Sequence, residues 1–332
     1  MKKILLLTTG GTIASVSSDE GLRPGQSGGE LMAMLGPLPY EVTVQDILQL
    51  DSTNIQPEEW QFIARRVYEL RGGYDGVVVT HGTDTMAYTA SVLTFMLPGI
   101  ELPVVLTGSQ LPIRSPLSDA PYNLRCALEM AASGVPGVFI AFDRKILLGC
   151  RSVKVRTTGF DAFESVNREP VARINADGLR FAQPLPAAPA GPCVLRPELD
   201  SRVVLIKLIP GFSPELLGAI ASAGARGLVV EAFGSGGLSF LRRDLVTAMG
   251  GLVARGIPVV VCSQCLYERS DLTRYEVGRR ALEHGVIPGG DMTSECAVTK
   301  LMWALGQGMD AAEVAAFLQT NAAGEITPSP AP

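Results

Sequence analysis

The amino-acid sequence predicts an α/β protein of two domains, each with a mainly parallel sheet flanked by helices. Three observations support this prediction. Short apolar, β-branched runs alternate with longer amphipathic stretches along most of the chain. The 332 residues, 47% of them hydrophobic, are enough to bury two cores. Two of the apolar runs end abruptly in polar loops rich in Thr and Gly, as expected for strands that end at a functional edge of a sheet.

The predicted elements of the first half alternate regularly. Predicted strands cover residues 4–8, 41–48, 76–80, 103–107 and 138–142, with short strands at 145–148 and 152–155. Predicted helices cover 30–35, 57–70, 86–96 and 119–132. Pro57 supports the second helix, because proline is favoured in the first turn. Residues 15–29 contain little apolar material and follow Thr12 closely, so we expect a mobile lid over that residue, with an inert surface loop as the alternative.

A linker is predicted near the middle of the chain. Residues 183–193 are rich in Pro and Ala and cannot sustain a helix or a central strand. We therefore predict an N-terminal domain over 1–182, a linker over 183–201 and a C-terminal domain over 202–332. In the second domain the predicted strands are 203–209, 227–232 and 258–262, and the predicted helices are 214–223, 242–255, 276–284, 293–305 and 311–321.

Composition argues against several classes of function. The net charge is −5 without a run of Lys or Arg, which disfavours nucleic acid as a partner. The two histidines lie in unrelated contexts, and Cys262 and Cys265 form the only close cysteine pair, so we expect neither a metal site nor a cofactor. The apolar run at 4–7 is too short for a signal peptide, and no stretch reaches 18 apolar residues. We therefore expect a cytoplasmic protein that binds neither nucleic acid nor membrane.

Two Thr-bearing loops carry the strongest chemical signal. The strand at 4–8 is followed by Gly10, Gly11 and Thr12, and the strand at 76–80 by a loop that contains Thr83 and Asp84. Since ligands bind outside the carboxyl ends of strands in such sheets, we expect an active site in the N-terminal domain built around hydroxyl groups. The glycines lack the spacing of a phosphate-binding loop. The alternative explanation is that Thr12 and Thr83 are N-caps of helices, because an isolated Thr between a strand and a helix more often has that role.

The two loops together resemble the two signature motifs of bacterial-type L-asparaginases, closest to the cytosolic type I branch. The motifs are TGGTIA at 9–14 and HGTDTM at 81–86. Further similar segments are DST at 51–53, TGSQ at 107–110, Lys154 before TTGFDAF at 157–163, and GDMT at 290–293. The resemblance extends from about residue 3 to residue 327.

The resemblance implies hydrolysis of L-asparagine to L-aspartate and ammonia through an acyl-enzyme intermediate. The residues that it assigns to catalysis are Thr12 as the nucleophile, with Thr83, Asp84 and Lys154. The residues that it assigns to substrate binding are Asp51, Ser52, Gly82, Thr83, Asp84 and Ser109. The resemblance also implies a homodimer or homotetramer, in line with the prevalence of closed two-fold assemblies.

Two features of the activation step stay open at this stage. The family commonly has a Tyr on the lid, whereas this chain has Leu22 at the matching position. Leu cannot relay a proton, so either another group activates Thr12 or the alignment shifts in this loop. A neighbouring carboxylate favours the charged form of Lys154, while burial favours the neutral amine.

Three other functions are considered. A glutaminase-asparaginase would accept a substrate one methylene longer, which a pocket distinguishes by only about 1–3 kcal/mol. A tRNA-dependent amidotransferase subunit with a similar domain should carry an extra N-terminal domain, whereas this chain begins at its first predicted strand. A non-catalytic amino-acid-binding sensor would not need the full set of residues assigned to catalysis, which is Thr12, Thr83, Asp84 and Lys154.

Overall fold

The chain forms two compact units. The computed structural model describes residues 1–18, 21–186 and 191–328. The first unit ends at Pro197 and the second begins at Glu198. This division falls inside the segment 183–201, and the predicted domain limits at 182 and 202 stay a prediction.

The first unit is built on one large sheet. Its strands are β1 (Lys2–Gly10), β4 (Tyr40–Leu50), β5 (Gly76–Thr80), β6 (Pro103–Thr107), β7 (Gly137–Phe142), β8 (Lys145–Leu148), β11 (Ala172–Asn175) and β12 (Gly178–Phe181). Among the described residues these eight strands have the order β12-β11-β8-β7-β6-β5-β1-β4. The pairs from β4 to β7 are parallel and those from β7 to β12 are antiparallel. Two small antiparallel pairs are β2 (Ser15–Ser18) with β3 (Gly21–Pro24), and β9 (Ser152–Lys154) with β10 (Phe163–Ser165).

The central strands and their helices follow from the hydrophobic pattern. All residues of β5 and β6 are buried, as expected for parallel strands covered on both faces. The flanking helices are α2 (Pro57–Leu70), α3 (Met86–Met96) and α4 (Ala120–Ala132). In α2 the buried residues Trp60, Ile63, Ala64 and Val67 form one stripe, whereas α3 is apolar and buried almost all round. The predicted α/β fold with mainly parallel sheets and flanking helices is confirmed.

The segment 15–29 contains more regular structure than predicted. The chain forms the hairpin of β2 and β3 and then enters α1 (Gly28–Ala33), whose start is capped by Ser27 and Glu30 in a reciprocal capping box. Asp19 and Glu20 lie outside the described residues. The segment predicted as a lid or an inert loop therefore contains a hairpin, which was not predicted because its residues are mostly polar and carry almost no apolar periodicity. The short strands β10, β11 and β12 were missed for the same reason.

The second unit has a smaller, fully parallel sheet. Its strands are β13 (Val203–Lys207), β14 (Gly227–Ala232), β15 (Val259–Ser263) and β16 (Ile287–Pro288), paired in that order. Its helices are α5 (Glu215–Ser222), α6 (Leu245–Ala254), α7 (Glu276–Glu283), α8 (Ser294–Gly306) and α9 (Ala311–Gln319). Alternate residues of β14 and β15, such as Leu228, Val230, Val259 and Val261, pack with Met249 of α6 in the core. β16 was not predicted, because two residues are too few to form a pattern.

A buried ion pair fastens the C-terminal segment to α8. The side chains of Lys300 and Glu325 are fully buried, and Nζ lies 2.6 Å from Oε1. Lys300 also donates to the Thr320 carbonyl oxygen at 2.6 Å. Glu325 accepts hydrogen bonds from the backbone N–H groups of Ala322 and Ala323. Both charges are therefore compensated within the protein, which is the condition for a buried pair to be tolerated.

We expect Lys300→Met to lower the free energy of unfolding by about 3–5 kcal/mol, because it leaves the Glu325 carboxylate buried without a counter-charge. Urea denaturation followed by circular dichroism measures this loss. The matched control is Glu69→Gln, which breaks the exposed Arg66–Glu69 pair and should cost less than about 1 kcal/mol. Similar losses in the two variants would contradict this account.

Candidate active site

Four neighbouring strands end at one edge of the large sheet, in the order β6-β5-β1-β4. Thr8 of β1 pairs with Thr80 of β5, which pairs with Thr107 of β6, so these strands end level with one another. The chain runs from β1 outward to β4 and then returns to β5 on the other side of β1, which creates a switch point at these ends. The loops that follow the four strands carry Thr12, Asp51, Ser52, Gly82, Thr83, Asp84 and Ser109.

The loops touch through glycine backbones. Gly11 has a φ of 77°, and a Cβ built on it would lie 2.6 Å from the Cα of Gly82. A Cβ on Gly82 would in turn lie 2.6 Å from Oγ of Ser52. The N–H of Gly11 donates to the Leu50 carbonyl oxygen at 2.9 Å. The loops after β1, β4 and β5 are therefore held in close contact, without room for a side chain at either glycine.

Lys154, Thr83 and Asp84 form a hydrogen-bonded group at this edge. Nζ of Lys154, at the end of β9, lies 2.8 Å from Oγ1 of Thr83 and 2.6 Å from Oδ1 of Asp84. Thr83 is buried, whereas the side chain of Asp84 is 56% exposed and that of Lys154 is 17% exposed. The group thus joins an amine, a hydroxyl and a carboxylate that opens to solvent.

Neither Thr12 nor Thr83 is a helix cap. Thr12 is the first residue of a short 3-10 helix, Thr12–Ala14, whose N-cap is Gly11. The N-cap of α3 is Thr85, two residues beyond Thr83. Thr12 is half-buried. The simpler explanation of these two threonines as caps is therefore wrong.

The other predicted binding residues have definite local partners. Ser52 is buried, and its carbonyl oxygen accepts a hydrogen bond from Thr85 Oγ1 at 2.7 Å. Asp51 is exposed and caps the turn that follows, where Oδ1 accepts from both N and Oγ1 of Thr53. Ser109 is buried, and its hydroxyl donates to the Leu111 carbonyl oxygen at 2.5 Å. These contacts fix the loops, and the binding roles of the three residues stay a prediction.

Gln110 belongs to the candidate site but was not singled out from the sequence. Its Nε2 donates to the carbonyl oxygens of Thr157 and Gly159 at 3.1 and 3.0 Å, and its Oε1 lies 3.5 Å from Thr83 Oγ1. The backbone N–H of Gln110 donates to Asp119. Gln110 therefore connects Thr83 to the turn at 157–159. The available signal was its place in the TGSQ segment.

His81 was also missed as a site residue. Its ring is completely buried, with Nδ1 2.7 Å from the Gly82 carbonyl oxygen and Nε2 2.9 Å from Oγ1 of Thr89. Burial lowers the pKa of His81 to about 4, because the charged imidazolium is poorly solvated there. The ring is therefore neutral at physiological pH. Its position in the signature motif was the available signal.

Leu22 lies on β3 opposite Ser17 of β2. Its side chain is outside the described part of the chain, and the lid role of the segment stays a prediction.

In the described ranges, no three His, Cys, Asp or Glu side chains are grouped so that they could hold a metal ion. The same ranges contain no helix with the length and apolar character needed to cross a membrane.

Comparisons with known proteins agree with this architecture. The family model for the asparaginase N-terminal domain matches residues 3–187, and that for the glutaminase/asparaginase C-terminal domain matches residues 202–318. The L-asparaginase of Thermococcus kodakarensis is 48% identical over 330 residues, which cover 98% of this chain and 100% of that protein. The solved structure of the thermostable L-asparaginase from this organism covers the same shares of the two chains, with a TM-score of 0.94.

Two further relatives extend the comparison. The structure of L-asparaginase I from Vibrio cholerae is 31% identical with a TM-score of 0.89, and the match covers 98% of this chain and 99% of that one. A glutamyl-tRNA(Gln) amidotransferase subunit of Pyrococcus furiosus is 38% identical over 98% of this chain and 77% of that protein. The fold and the strand-end loops define a two-domain α/β enzyme. The chain belongs to the asparaginase family.

The glycine contact at the site is directly testable. We expect Gly11→Ala to lower the free energy of unfolding by about 1–3 kcal/mol, because alanine is strained at the positive φ of this residue. The clash of the new Cβ with Gly82 should add a further loss. Thermal and urea unfolding measure the change. The control Gly29→Ala lies in α1, where the nearest atom to a new Cβ is Oγ of Ser27 at 3.8 Å, and it should be neutral or slightly stabilising. Equal stability of Gly11→Ala and the wild type would contradict the packing described here.

Proposed function

We propose that the protein is an L-asparaginase that hydrolyses L-asparagine to L-aspartate and ammonia. The observation that carries the proposal is the group of Lys154, Thr83 and Asp84 beside the loop of Thr12 in a member of the asparaginase family. A hydroxyl nucleophile needs neighbouring groups that activate it and balance the charge that develops. The 48% identity to the L-asparaginase of Thermococcus kodakarensis supports the choice of substrate.

The proposed reaction has two steps. In the first step, Oγ1 of Thr12 bonds to the side-chain amide carbon of asparagine, the C–N bond breaks, and ammonia leaves with the hydroxyl proton. In the second step, water adds to the resulting ester, aspartate is released, and Thr12 recovers a proton. Backbone N–H groups in the glycine-rich loops are suited to stabilise the oxyanion in both steps.

The remaining residues are assigned to charge balance and binding. Lys154 donates to both Thr83 and Asp84, so we propose that it orients and polarises this unit. Asp84 is half exposed, and one of its oxygens can accept from the α-ammonium group of the substrate while the other holds Lys154. Asp51, Ser52, Gly82 and Ser109 are proposed to hold the amino-acid end of asparagine. No metal or cofactor is required by this scheme.

Free L-asparagine is favoured over an aminoacyl-tRNA substrate. The amidotransferase relative from Pyrococcus furiosus is more distant than the L-asparaginase of Thermococcus kodakarensis, at 38% against 48% identity. Release of ammonia from free L-asparagine without tRNA distinguishes the two functions. L-Glutamine should react more slowly, although one methylene gives a discrimination of only about 1–3 kcal/mol.

We propose that the protein acts as a homodimer or homotetramer in the cytoplasm. The proposal is supported by the resemblance to the asparaginase family, which implies such an assembly, and by the prevalence of closed two-fold assemblies among oligomeric proteins. Multi-angle light scattering at assay concentration would determine the assembly.

We expect Thr12→Ala to abolish ammonia release from L-asparagine, because the variant lacks the oxygen that forms the ester. A coupled ammonia assay measures turnover, and circular dichroism checks that the fold is intact. Thr12→Ser is the matched control, since it keeps a hydroxyl and should retain measurable activity. Turnover above a few per cent of the wild-type value in Thr12→Ala would exclude Thr12 as the nucleophile. Each factor of ten in rate corresponds to about 1.4 kcal/mol in the activation free energy.

We expect Lys154→Met to lower kcat by a factor of about 10²–10⁴, because it removes the amine that contacts Thr83 and Asp84. Steady-state kinetics with L-asparagine separate this effect from substrate binding. The control Lys145→Met lies on β8, where Nζ is 3.8 Å from a carboxylate oxygen of Asp143, and it should leave kcat unchanged. Comparable kcat values in the two variants would remove Lys154 from the proposed mechanism.

A further inference from the structure

A buried chain of hydrogen bonds connects α2 and α3 to the loop that follows β5. Nε1 of Trp60, in α2, lies 3.0 Å from Oγ1 of Thr89, in α3. Oγ1 of Thr89 lies 2.9 Å from Nε2 of His81, whose Nδ1 lies 2.7 Å from the carbonyl oxygen of Gly82. His81 and Thr89 are fully buried and Trp60 is nearly so. Two helices are thus linked through one imidazole to the backbone of the catalytic loop.

The direction of every bond in this chain is determined. A carbonyl oxygen only accepts, so Nδ1 of His81 must carry a proton. A neutral ring has one N–H group, so Nε2 must accept a hydrogen bond. Thr89 is its donor, because the single hydroxyl proton of Thr89 has Nε2 at 2.9 Å and its other acceptor, the Thr85 carbonyl oxygen, at 3.3 Å. The indole N–H of Trp60 can only donate, so Oγ1 of Thr89 accepts this hydrogen bond. The low pKa of His81, caused by burial, agrees with a neutral ring.

The Gly82 carbonyl is the point where this chain meets the site. The peptide that joins Gly82 to Thr83 is planar and trans, so its N–H points opposite to its carbonyl oxygen. A carbonyl held toward His81 therefore directs the N–H of Thr83 away from the core. Gly82 also fills the space between Gly11 and Ser52, so a rotation of this peptide would disturb all three loops.

We propose that His81 is a positioning residue of the active site, which fixes the Gly82–Thr83 peptide through the hydrogen bond from Nδ1 to the Gly82 carbonyl oxygen. This inference rests on the proposed function for its kinetic consequence. Gly82 has no Cβ to restrict its own backbone, so the imidazole supplies the restriction. Without it the carbonyl would be buried and unsatisfied, and the peptide would rotate to find another partner.

Three substitutions at His81 separate the two ring nitrogens. His81→Asn keeps a donor near the Nδ1 position, His81→Gln keeps a polar group near the Nε2 position, and His81→Leu keeps neither. We expect kcat with L-asparagine to fall about tenfold in His81→Gln and His81→Leu, because both lose the donor to the Gly82 carbonyl oxygen. In His81→Asn, kcat should fall less than about twofold. KM should change less than about twofold in all three variants. Urea unfolding of each variant records stability separately.

The control is Thr94→Val in the same helix as Thr89. Oγ1 of Thr94 bonds only to the Ala90 carbonyl oxygen among the described hydrogen bonds, at 2.9 Å, and its loss should leave kcat unchanged. Thr89→Val removes the donor to His81 and should lower kcat by a smaller factor than His81→Leu. It also serves as the test if His81→Leu fails to fold. Wild-type kcat in His81→Leu, or in both His81→Gln and Thr89→Val, would overturn the proposal.

A spectroscopic readout tests the tautomer without any activity. The chain has only two histidines, so ¹⁵N-histidine labelling gives two ring systems, and His284→Gln assigns them. We expect the His81 resonances of a neutral ring protonated at Nδ1 down to about pH 5. The Nε2–H tautomer or a charged ring at pH 7 would refute the proposal. If the wild type shows the Nδ1–H tautomer but no asparaginase activity, the proposed function fails while the hydrogen-bond geometry stands.

Discussion

Three loops of the site are in contact at two glycines, and this contact determines where the reactive side chains lie. Gly11 packs on Gly82, and Gly82 packs on Ser52, at distances that exclude a Cβ. The contact of Gly11 with Gly82 joins backbone atoms, which have no rotamers to exchange, so it places the following residues, Thr12 and Thr83, with little freedom. Catalytic groups need placement to a fraction of an ångström. The sheet register brings the loops together, and the glycines let them touch.

Two lysine–carboxylate pairs show how the same chemistry serves stability in one place and a candidate site in another. Lys300 and Glu325 are both fully buried and compensated by backbone groups, so the pair has no face open to a ligand. Lys154 and Asp84 are equally close at 2.6 Å, but Asp84 opens to solvent and Lys154 also holds a hydroxyl. Only the second pair can exchange a partner for a substrate. Exposure, more than distance, separates the two functions.

The fold was predictable where burial on both faces imposes a simple pattern. The observed bounds of β5, β6, α2 and α3 equal the predicted ones, because each is an apolar run or stripe ended by Gly, Pro or a polar loop. The hairpin of β2 and β3 was not predictable, because its residues are mostly polar and its pairing provides no periodic signal. Short antiparallel strands near the edge, such as β12, depend on a neighbouring strand for their existence.

For the candidate site, the motifs indicated the residues but not the hydrogen bonds among them. The contact of Lys154 with Asp84 spans 70 positions of the chain, and resemblance to a family indicated it where spacing could not. No pattern linked His81 to Trp60, because their connection passes through Thr89 and depends on how two helices pack. A histidine in a catalytic motif suggests acid–base chemistry, yet burial keeps this ring neutral and away from solvent. The motif therefore combines residues proposed to react with one that supports the backbone between them.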